Sequence, residues 1–227
     1  MHGKRFTELK SGVGNKFYNV KDAVDLVKKD ATAKFDETIE LHFNLGIDPK
    51  MGDQLIRGTI TLPHGTGKSK KVVAFVDAAN EAAAKAAGAD IIGTEEYLDT
   101  LVKTGKIDFD VAVAVPSMMP KLAKAAKILG PRGLMPNPKT DTVGPNIGKM
   151  VEEQKAGKLS FKNDNTANVH MIVGKASFPA EKLVANVNAA MDAISRAKPQ
   201  SAKGIYMKSV TMTSTMGPAI RVEVVNV

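Results

Sequence analysis

Apolar and polar residues alternate strictly from Glu37 to Leu45, a pattern that predicts a half-buried β-strand. Its inward face consists of Ile39, Leu41, Phe43 and Leu45, and its outward face of Thr38, Glu40, His42 and Asn44. Similar patterns predict strands over 57–62, with Ile60 and Leu62 inward, and over 160–163, 169–173, 205–213 and 219–225. Helical spacing predicts helices over 20–29, capped by Asn19, and over 179–197, and Thr7 is a candidate cap for a helix nearer the N-terminus.

The pattern changes after Gly67. Three continuous apolar runs, Val72–Val76, Ile91–Ile92 and Val111–Val115, are typical of strands that are covered on both faces. Helical patterns over 78–87, 95–103, 118–129 and 146–156 alternate with them. This succession predicts βαβ units and a mostly parallel sheet.

Matching patterns at the two ends, interrupted by a different one, predict an α/β protein of two domains. Residues 1–67 and 159–227 would form a discontinuous two-layer α+β terminal domain, and residues 68–158 an inserted three-layer Rossmann-like α/β domain. Gly65 and Gly67 lie beside the first connection between them. They are predicted to act as a hinge, because glycine permits backbone rotation at low steric cost.

The charge balance favours a polyanionic partner. The 227 residues include 32 Lys and Arg against 24 Asp and Glu, a formal net charge of +8, and the pI is about 9.5. Such a balance is typical of proteins that bind nucleic acid. Residues 1–67 and 160–227 hold 18 basic and 13 acidic residues, and residues 68–159 hold 14 and 11, so charge alone assigns the partner to neither part.

Residue content disfavours several classes of site. Cysteine is absent, which excludes disulfides, a thiol nucleophile and cysteine-ligated metals. The histidines His2, His42, His64 and His170 are too far apart in sequence for a paired-histidine metal motif. The N-terminal sequence has no signal-peptide pattern, and no apolar run reaches the roughly 18 residues of a membrane span. We therefore expect a cytoplasmic protein with no cofactor, no metal and no membrane contact, and an enzyme becomes the weaker class of function.

Two glycine-rich stretches need separate interpretation. The segment Gly65-Thr66-Gly67-Lys68-Ser69 is similar to the end of a phosphate-binding loop. However, Leu62 stands where the first glycine is required, and a strand is predicted to follow instead of a helix, so a nucleotide site is disfavoured. The stretch Gly130–Pro138 predicts a rigid loop, for which the sequence indicates no role.

Small hydroxyl side chains gather near the C-terminus. Ser209, Thr211 and Thr213 share one face of the strand over 205–213, and the following turn offers Thr215, Met216 and Gly217. Hydroxyls, exposed backbone and an unbranched apolar side chain suit contact with ribose and phosphate edges of RNA. A Thr-rich exposed strand favoured by β-propensity explains the pattern equally well. A nucleotide-dependent enzyme and a protein-interaction module also stay open at this point.

Six separated motifs carry a family resemblance. They are Phe35-Asp36-Glu37-Thr38-Ile39-Glu40, Arg57-Gly58-Thr59 with Leu62-Pro63-His64-Gly65, the loop Gly130–Pro138, Phe161-Lys162-Asn163-Asp164, Gly174-Lys175-Ala176-Ser177-Phe178, and Thr215-Met216-Gly217-Pro218. In this order, and nearly from end to end, the chain resembles the bacterial form of the large-subunit ribosomal protein one family.

The resemblance implies both a fold and a function. It implies a discontinuous terminal domain, an inserted Rossmann-like domain and a two-strand hinge between them. It also implies a structural constituent of the large ribosomal subunit that binds rRNA directly in the mobile stalk. Further implied roles are release of exit-site tRNA and repression of translation through binding of its own operon mRNA. The free protein would be a monomer, and the bound one would be ribosome-associated in the cytoplasm.

The resemblance further implies an RNA-contact surface beside the first strand and the last two. Lys34 would pair with phosphate, and Phe35 and Met216 would pack on ribose or base. The hydroxyl groups and Glu40 would bond to 2′-hydroxyls or base edges. The full set is Lys34, Phe35, Thr38, Glu40, Ser209, Thr211, Thr215, Met216 and Gly217, with Lys162 and His170 added as residues on neighbouring strands of the same sheet.

Overall fold

Residues 3–224, which the computed structural model describes, form eight α-helices and ten β-strands. The helices are α1 (Lys4–Val13), α2 (Val20–Asp30), α3 (Glu81–Ala86), α4 (Glu95–Thr104), α5 (Met119–Leu122), α6 (Ala126–Leu129), α7 (Ile147–Lys155) and α8 (Ala180–Arg196). The strands are β1 (Phe17–Tyr18), β2 (Thr38–Leu45), β3 (Arg57–Thr61), β4 (Val72–Phe75), β5 (Ile91–Gly93), β6 (Val111–Ala114), β7 (Lys158–Lys162), β8 (Asn168–Lys175), β9 (Met207–Ser214) and β10 (Ile220–Val222). His2 and Val225, which enter the predictions above, lie outside the described residues.

These elements divide into two compact units. The terminal unit contains the described residues up to Gly67 and those from Ser160 onward, and the inserted unit is Lys68–Leu159. The second predicted boundary lay one residue earlier, between 158 and 159.

The terminal unit is built on a five-stranded sheet with the strand order β1-β10-β9-β2-β8. β2 pairs antiparallel with both β8 and β9, and β1 pairs parallel with β10. The predicted alternation in β2 is confirmed, because Ile39, Leu41, Phe43 and Leu45 are all at most 1% exposed. Helix α2 packs against β9 and β10, and α8 packs against α2 and β8, so the two helices cover this apolar face.

The ends of the first two helices test the predicted caps. The Asn19 side-chain oxygen accepts a hydrogen bond from the Asp22 N–H at 2.8 Å, which confirms Asn19 as the cap of α2. The prediction for Thr7 is wrong, because Thr7 lies inside α1, whose N-cap is Gly3. Glycine is tolerated at that position but supplies no side-chain acceptor.

The strands β3 and β7 pair with each other in a separate two-stranded sheet. Ile60 and Leu62 are buried as predicted, at 9% and 1% exposure. Lys162, at the end of β7, therefore does not lie in the five-stranded sheet, and the prediction that it shares a sheet with His170 is wrong. Alternation within a strand determines which face is apolar, but it does not identify the partner strand.

The inserted unit contains a parallel sheet with the order β5-β4-β6. One face packs against α4 and residues 116–129, around Phe75, Leu98 and Leu122. The other face packs against α3 and α7, around Val72, Ala84 and Val151. Helices on both faces of a parallel sheet give the predicted three layers.

The predicted continuous helix over 118–129 is wrong. A 3-10 turn at Ala123–Ala125 separates α5 from α6. Ala125 has φ −91° and ψ 0°, and the Ala126 N–H bonds to the Ala123 carbonyl three residues earlier. Helical spacing of apolar residues fits both hydrogen-bond patterns, so the sequence could not distinguish them.

Among residues 3–224, no helix has the length and apolar character needed to cross a membrane.

Candidate nucleic-acid interface

The face of the five-stranded sheet opposite α2 and α8, here called the open face, carries mainly polar side chains. Strand pairing places Arg221 opposite Thr211, Thr211 opposite His42, and His42 opposite His170. Flanking rows are Thr213, Glu40 and Ile172, and Ser209, Asn44 and Asn168. All of these residues are exposed or half-exposed. The open face is therefore a platform of hydroxyl, imidazole and amide groups with little acidic character.

A histidine pair occupies the centre of the open face. The Nδ1 atoms of His42 and His170 lie 2.8 Å apart, and His42 Nε2 lies 3.0 Å from the Thr213 hydroxyl. A hydrogen bond between two Nδ1 atoms needs one donor and one acceptor, so at least one ring must be neutral. Burial and then the neighbouring His170 lower the pKa of His42, while Glu40 opposes them. His42 is thus a neutral hydrogen-bonding group near pH 7.

The turn 214–217, between β9 and β10, is bonded to the start of β2. The Thr215 N–H donates to the Thr38 carbonyl at 3.0 Å, and the Thr38 N–H donates to the Thr215 hydroxyl oxygen at 2.9 Å. The Gly217 N–H closes the turn on the Ser214 carbonyl at 3.1 Å. A Cβ atom on Gly217 would lie only 2.4 Å from the Ser214 hydroxyl oxygen, so glycine allows this close approach.

A buried carboxylate lies beneath this turn. Glu37 is 1% exposed, and its two oxygens accept hydrogen bonds from the Ala33 N–H and the Met216 N–H, each at 2.9 Å. Burial by itself raises the pKa of Glu37, but the N–H donors of Met216 and Ala33 outweigh it and hold the pKa below its ordinary value. The carboxylate stays ionised near neutral pH and joins the segment 33–38 to the turn 214–217.

Segment 33–38 and the turn 214–217 each carry one large, exposed apolar side chain. Phe35 is 55% exposed and Met216 is 51% exposed. Lys34 is exposed as well, and the Arg5 guanidinium donates to the Met216 carbonyl at 3.0 Å. Exposed apolar side chains next to basic groups are suited to stacking of bases and neutralisation of phosphate.

A second set of bonds supports the same region. The Lys175 ammonium donates to the Thr38 hydroxyl at 2.8 Å and to the Asp36 carbonyl at 3.3 Å. The Asp36 carboxylate accepts from both the N–H and the hydroxyl of Ser177. Segment 33–38 is thus held by β8 and its following turn as well as by the turn 214–217.

Most of the predicted contact residues come together in the structure. Thr38, Glu40, His170, Ser209 and Thr211 share the open face of one sheet. Lys34 and Phe35 lie in segment 33–38, which Glu37 joins to the turn carrying Thr215, Met216 and Gly217. Lys162 is exposed on the separate two-stranded sheet.

The predicted hinge glycines lie in a loop tied to α8. Gly65 and Gly67 have φ values of +63° and +77°, which favour glycine. The buried Asn186 donates to the Gly65 carbonyl at 3.0 Å and accepts from the His64 N–H at 3.1 Å. The helix that a phosphate-binding loop requires is absent from this point of the described chain, since β4 is the next regular element.

Sequence reasoning missed several residues that organise this region. Glu37, Arg5 and Lys175 had no predicted role, and His42 was assigned only to an outward face. One signal was available for Glu37, because it has the parity of Ile39 and Leu41 and therefore points inward. A carboxylate on the apolar side of a strand needs buried donors.

Comparison with known proteins decides the family. A model of the Ribosomal protein L1p/L10e family matches residues 27–218. The chain belongs to this family. The match extends from α2 through the turn 214–217, and therefore includes both units and most of the open face.

Curated relatives agree over nearly the whole chain. A protein of Corynebacterium aurimucosum named large ribosomal subunit protein uL1 is 51% identical, over 92% of this chain and 89% of the relative. Proteins of the same name from Deinococcus radiodurans and Saccharopolyspora erythraea are each 50% identical, over 96% and 92% of this chain and 94% and 87% of theirs.

Membership in this family has direct consequences. The family consists of structural, non-enzymatic ribosomal proteins, so the enzyme left open by the residues is excluded. The chain is ribosome-bound in the cytoplasm, and the predicted α/β fold is confirmed. No cluster of three or more metal-binding side chains occurs within residues 3–224.

Proposed function

We propose that this structural constituent of the large ribosomal subunit binds large-subunit rRNA directly, in the mobile stalk, through the terminal unit. The observation that carries the proposal is the joint exposure of Phe35 and Met216 on two segments linked by Glu37, at 55% and 51%. Large apolar side chains that are exposed beside basic residues are suited to contact with bases and ribose of RNA. The names of the relatives support a ribosomal partner.

Each part of the surface has a distinct role in this proposal. Phe35 and Met216 pack on bases or ribose, and Lys34 neutralises a phosphate. The hydroxyls of Thr211 and Ser209 bond to 2′-hydroxyls, which distinguish RNA from DNA. Thr38, Glu40, His170 and Gly217 complete the contact set, and Lys162 contributes at a separate position.

The role of Thr215 differs from the others. Its hydroxyl accepts from the Thr38 N–H at 2.9 Å and lies 3.3 Å from the Thr38 carbonyl, to which it donates. One lone pair is left for an RNA hydroxyl. Thr215 therefore both positions the turn and contacts RNA in this proposal, and removing its hydroxyl affects both.

We further propose that the same surface binds an operon mRNA of similar structure and represses translation. One surface for two RNAs makes their binding mutually exclusive. Free rRNA then relieves repression, because it competes for the protein. Adding unlabelled rRNA fragment should release the mRNA with a midpoint set by the two affinities.

In this proposal, the release of exit-site tRNA requires both units and a hinge between them. Gly65 and Gly67 adopt backbone conformations favoured by glycine, next to one of the two connections between the units. Rotation at a few such positions allows domains to reorient. Fluorescence transfer between dyes on the two units, in free and ribosome-bound protein, tests this hinge. An unchanged distance distribution would contradict it.

Filter binding tests the rRNA proposal. The parent protein is titrated with a stalk rRNA fragment, with a scrambled RNA of equal length, and with the DNA equivalent, each at several salt concentrations. We expect tight binding to the stalk fragment and weak, steeply salt-dependent binding to the other two. Equal affinity for all three nucleic acids would show that the protein binds any polyanion, and would contradict specific recognition of rRNA. Sedimentation of the free protein checks the proposed monomeric state.

A further inference from the structure

Four chain segments that are distant in sequence converge around Glu37. One oxygen of its carboxylate accepts from the Ala33 N–H and the other from the Met216 N–H. Glu37 and Met216 are 179 positions apart in the chain. The two other segments contribute Arg5, which donates to the Met216 carbonyl, and Lys175, which donates to the Thr38 hydroxyl.

The backbone of Met216 is held by side chains on both sides. Glu37 accepts from its N–H at 2.9 Å, and Arg5 donates to its carbonyl at 3.0 Å. Neither bond depends on the Met216 side chain, which remains 51% exposed. The turn is thus fixed through its backbone, and the side chain is left available for a partner.

The charge of Glu37 makes its position informative. A carboxylate near an RNA surface repels phosphate, so the charge of Glu37 does not itself favour RNA binding. Glu37 is 1% exposed and its charge is spread over two N–H donors. The carboxylate is instead held in a fixed hydrogen-bonded geometry between two chain segments.

We propose that Glu37 is a positioning residue for RNA recognition, because its buried carboxylate sets the spacing between segment 33–38 and the turn 214–217. In doing so it presents Phe35 and Met216 to RNA as one preformed apolar surface. The inference rests on the proposed RNA-binding function. Ordering both segments before binding reduces the entropy cost of forming the complex, because fewer side chains are immobilised on binding.

The experiment compares Glu37→Gln with two reference variants. Gln keeps the size of the side chain but has one carbonyl acceptor, and its NH₂ group faces an N–H donor. Ile194→Val, in the buried face of α8, is the stability reference, since removing a methylene group from the core lowers stability without touching the proposed surface. Thr211→Ala, on the open face, reports on the RNA surface itself. Each variant is measured by thermal unfolding and by binding to stalk rRNA and to scrambled RNA.

For Glu37→Gln we expect about tenfold weaker binding to stalk rRNA, which corresponds to loss of roughly one ordered contact. Binding to scrambled RNA should be equal or slightly tighter, because a negative charge is removed. Electrostatics alone predicts tighter binding to both RNAs, so the opposite signs identify positioning. The Met216 and Ala33 amide resonances should shift in the variant. Ile194→Val should lose stability and keep its RNA affinity.

Three outcomes would overturn the inference. Glu37→Gln binds stalk rRNA as tightly as the parent, or Ile194→Val loses affinity in the same proportion to its loss of stability, or both RNAs weaken equally. If Glu37→Gln does not fold, Glu37→Asp takes its place, because the shorter carboxylate keeps its charge but cannot span both donors. Lys34→Ala is measured beside Thr211→Ala as a second surface variant. If both leave stalk binding intact, the proposed surface fails instead, which separates that result from failure of the positioning role.

Discussion

Truncation of Met216 tests the apolar part of the proposed surface. Its side chain is 51% exposed and belongs to a turn fixed by backbone bonds to Glu37 and Arg5. Met216→Ala should therefore leave the turn in place and change the free energy of unfolding by less than about 0.5 kcal/mol. A loss of RNA affinity would then report the lost contact and not a changed fold.

The magnitude follows from the exposed fraction. Full burial of a methionine side chain contributes about 1.5–3 kcal/mol. Since 51% of Met216 remains exposed in the free protein, contact with RNA can gain roughly half of that. We expect Met216→Ala to lose about 0.8–1.5 kcal/mol of binding free energy, or about four- to twelvefold in affinity. Phe35→Ala should lose more, because base stacking on an aromatic ring contributes about 1–3 kcal/mol.

The assay is a salt series of filter-binding titrations on one stalk rRNA. Met51→Ala is a matched control, because Met51 is also 51% exposed but lies beyond the opposite end of β2 from Thr38. Neither methionine carries charge, so the slope of log affinity against log salt should be unchanged in both variants. Parent-like affinity in Met216→Ala, or an equal loss in Met51→Ala, would refute the assignment of the surface.

Other predictions concern charge, protonation, backbone and domain roles. If Lys34 contacts a phosphate, Lys34→Ala should lower the slope of log affinity against log salt concentration by about 0.7–0.9. An unchanged slope would show that Lys34 makes no such contact. The pKa of His42 is lowered from 6.5, so the folded state favours the neutral ring. Thermal stability should therefore fall as the pH drops below about 6.5, and the fall should be less steep in His42→Gln than in the parent. Parallel pH profiles of the parent and His42→Gln would contradict this. Gly67→Ala should destabilise the protein more than Gly204→Ala, because both have positive φ but only a Cβ on Gly67 would meet the Phe178 ring, at 2.9 Å. Replacing 68–159 by a short Gly-Ser linker should leave a domain, folded by circular dichroism, that keeps most of its rRNA affinity, and loss of specific binding by that folded domain would assign recognition to both units.

Local pattern was sufficient for much of the fold. The alternation in 37–45 determined which face of β2 is buried, because side chains in a strand point to opposite sides in turn. The helical spacing of apolar residues in α8 predicts a stripe of Leu183, Val184, Val187, Ala190, Met191 and Ile194. Four of these six residues are buried, and Val184 and Met191 are half-buried. The change from alternating to continuous apolar strands after Gly67 distinguished a one-sided sheet from one covered on both faces.

The candidate site depended on information that local pattern lacks. The period of a strand defines its faces but not its neighbours, so the placement of His42 beside His170 and of Lys162 in another sheet required the strand order. Short-range rules likewise cannot describe a bond between Glu37 and Met216, 179 positions apart. The sequence by itself determined the two kinds of sheet and the outward polar residues. Only the tertiary structure decided which of these residues meet, because that depends on which distant segments pack together to bury the apolar faces.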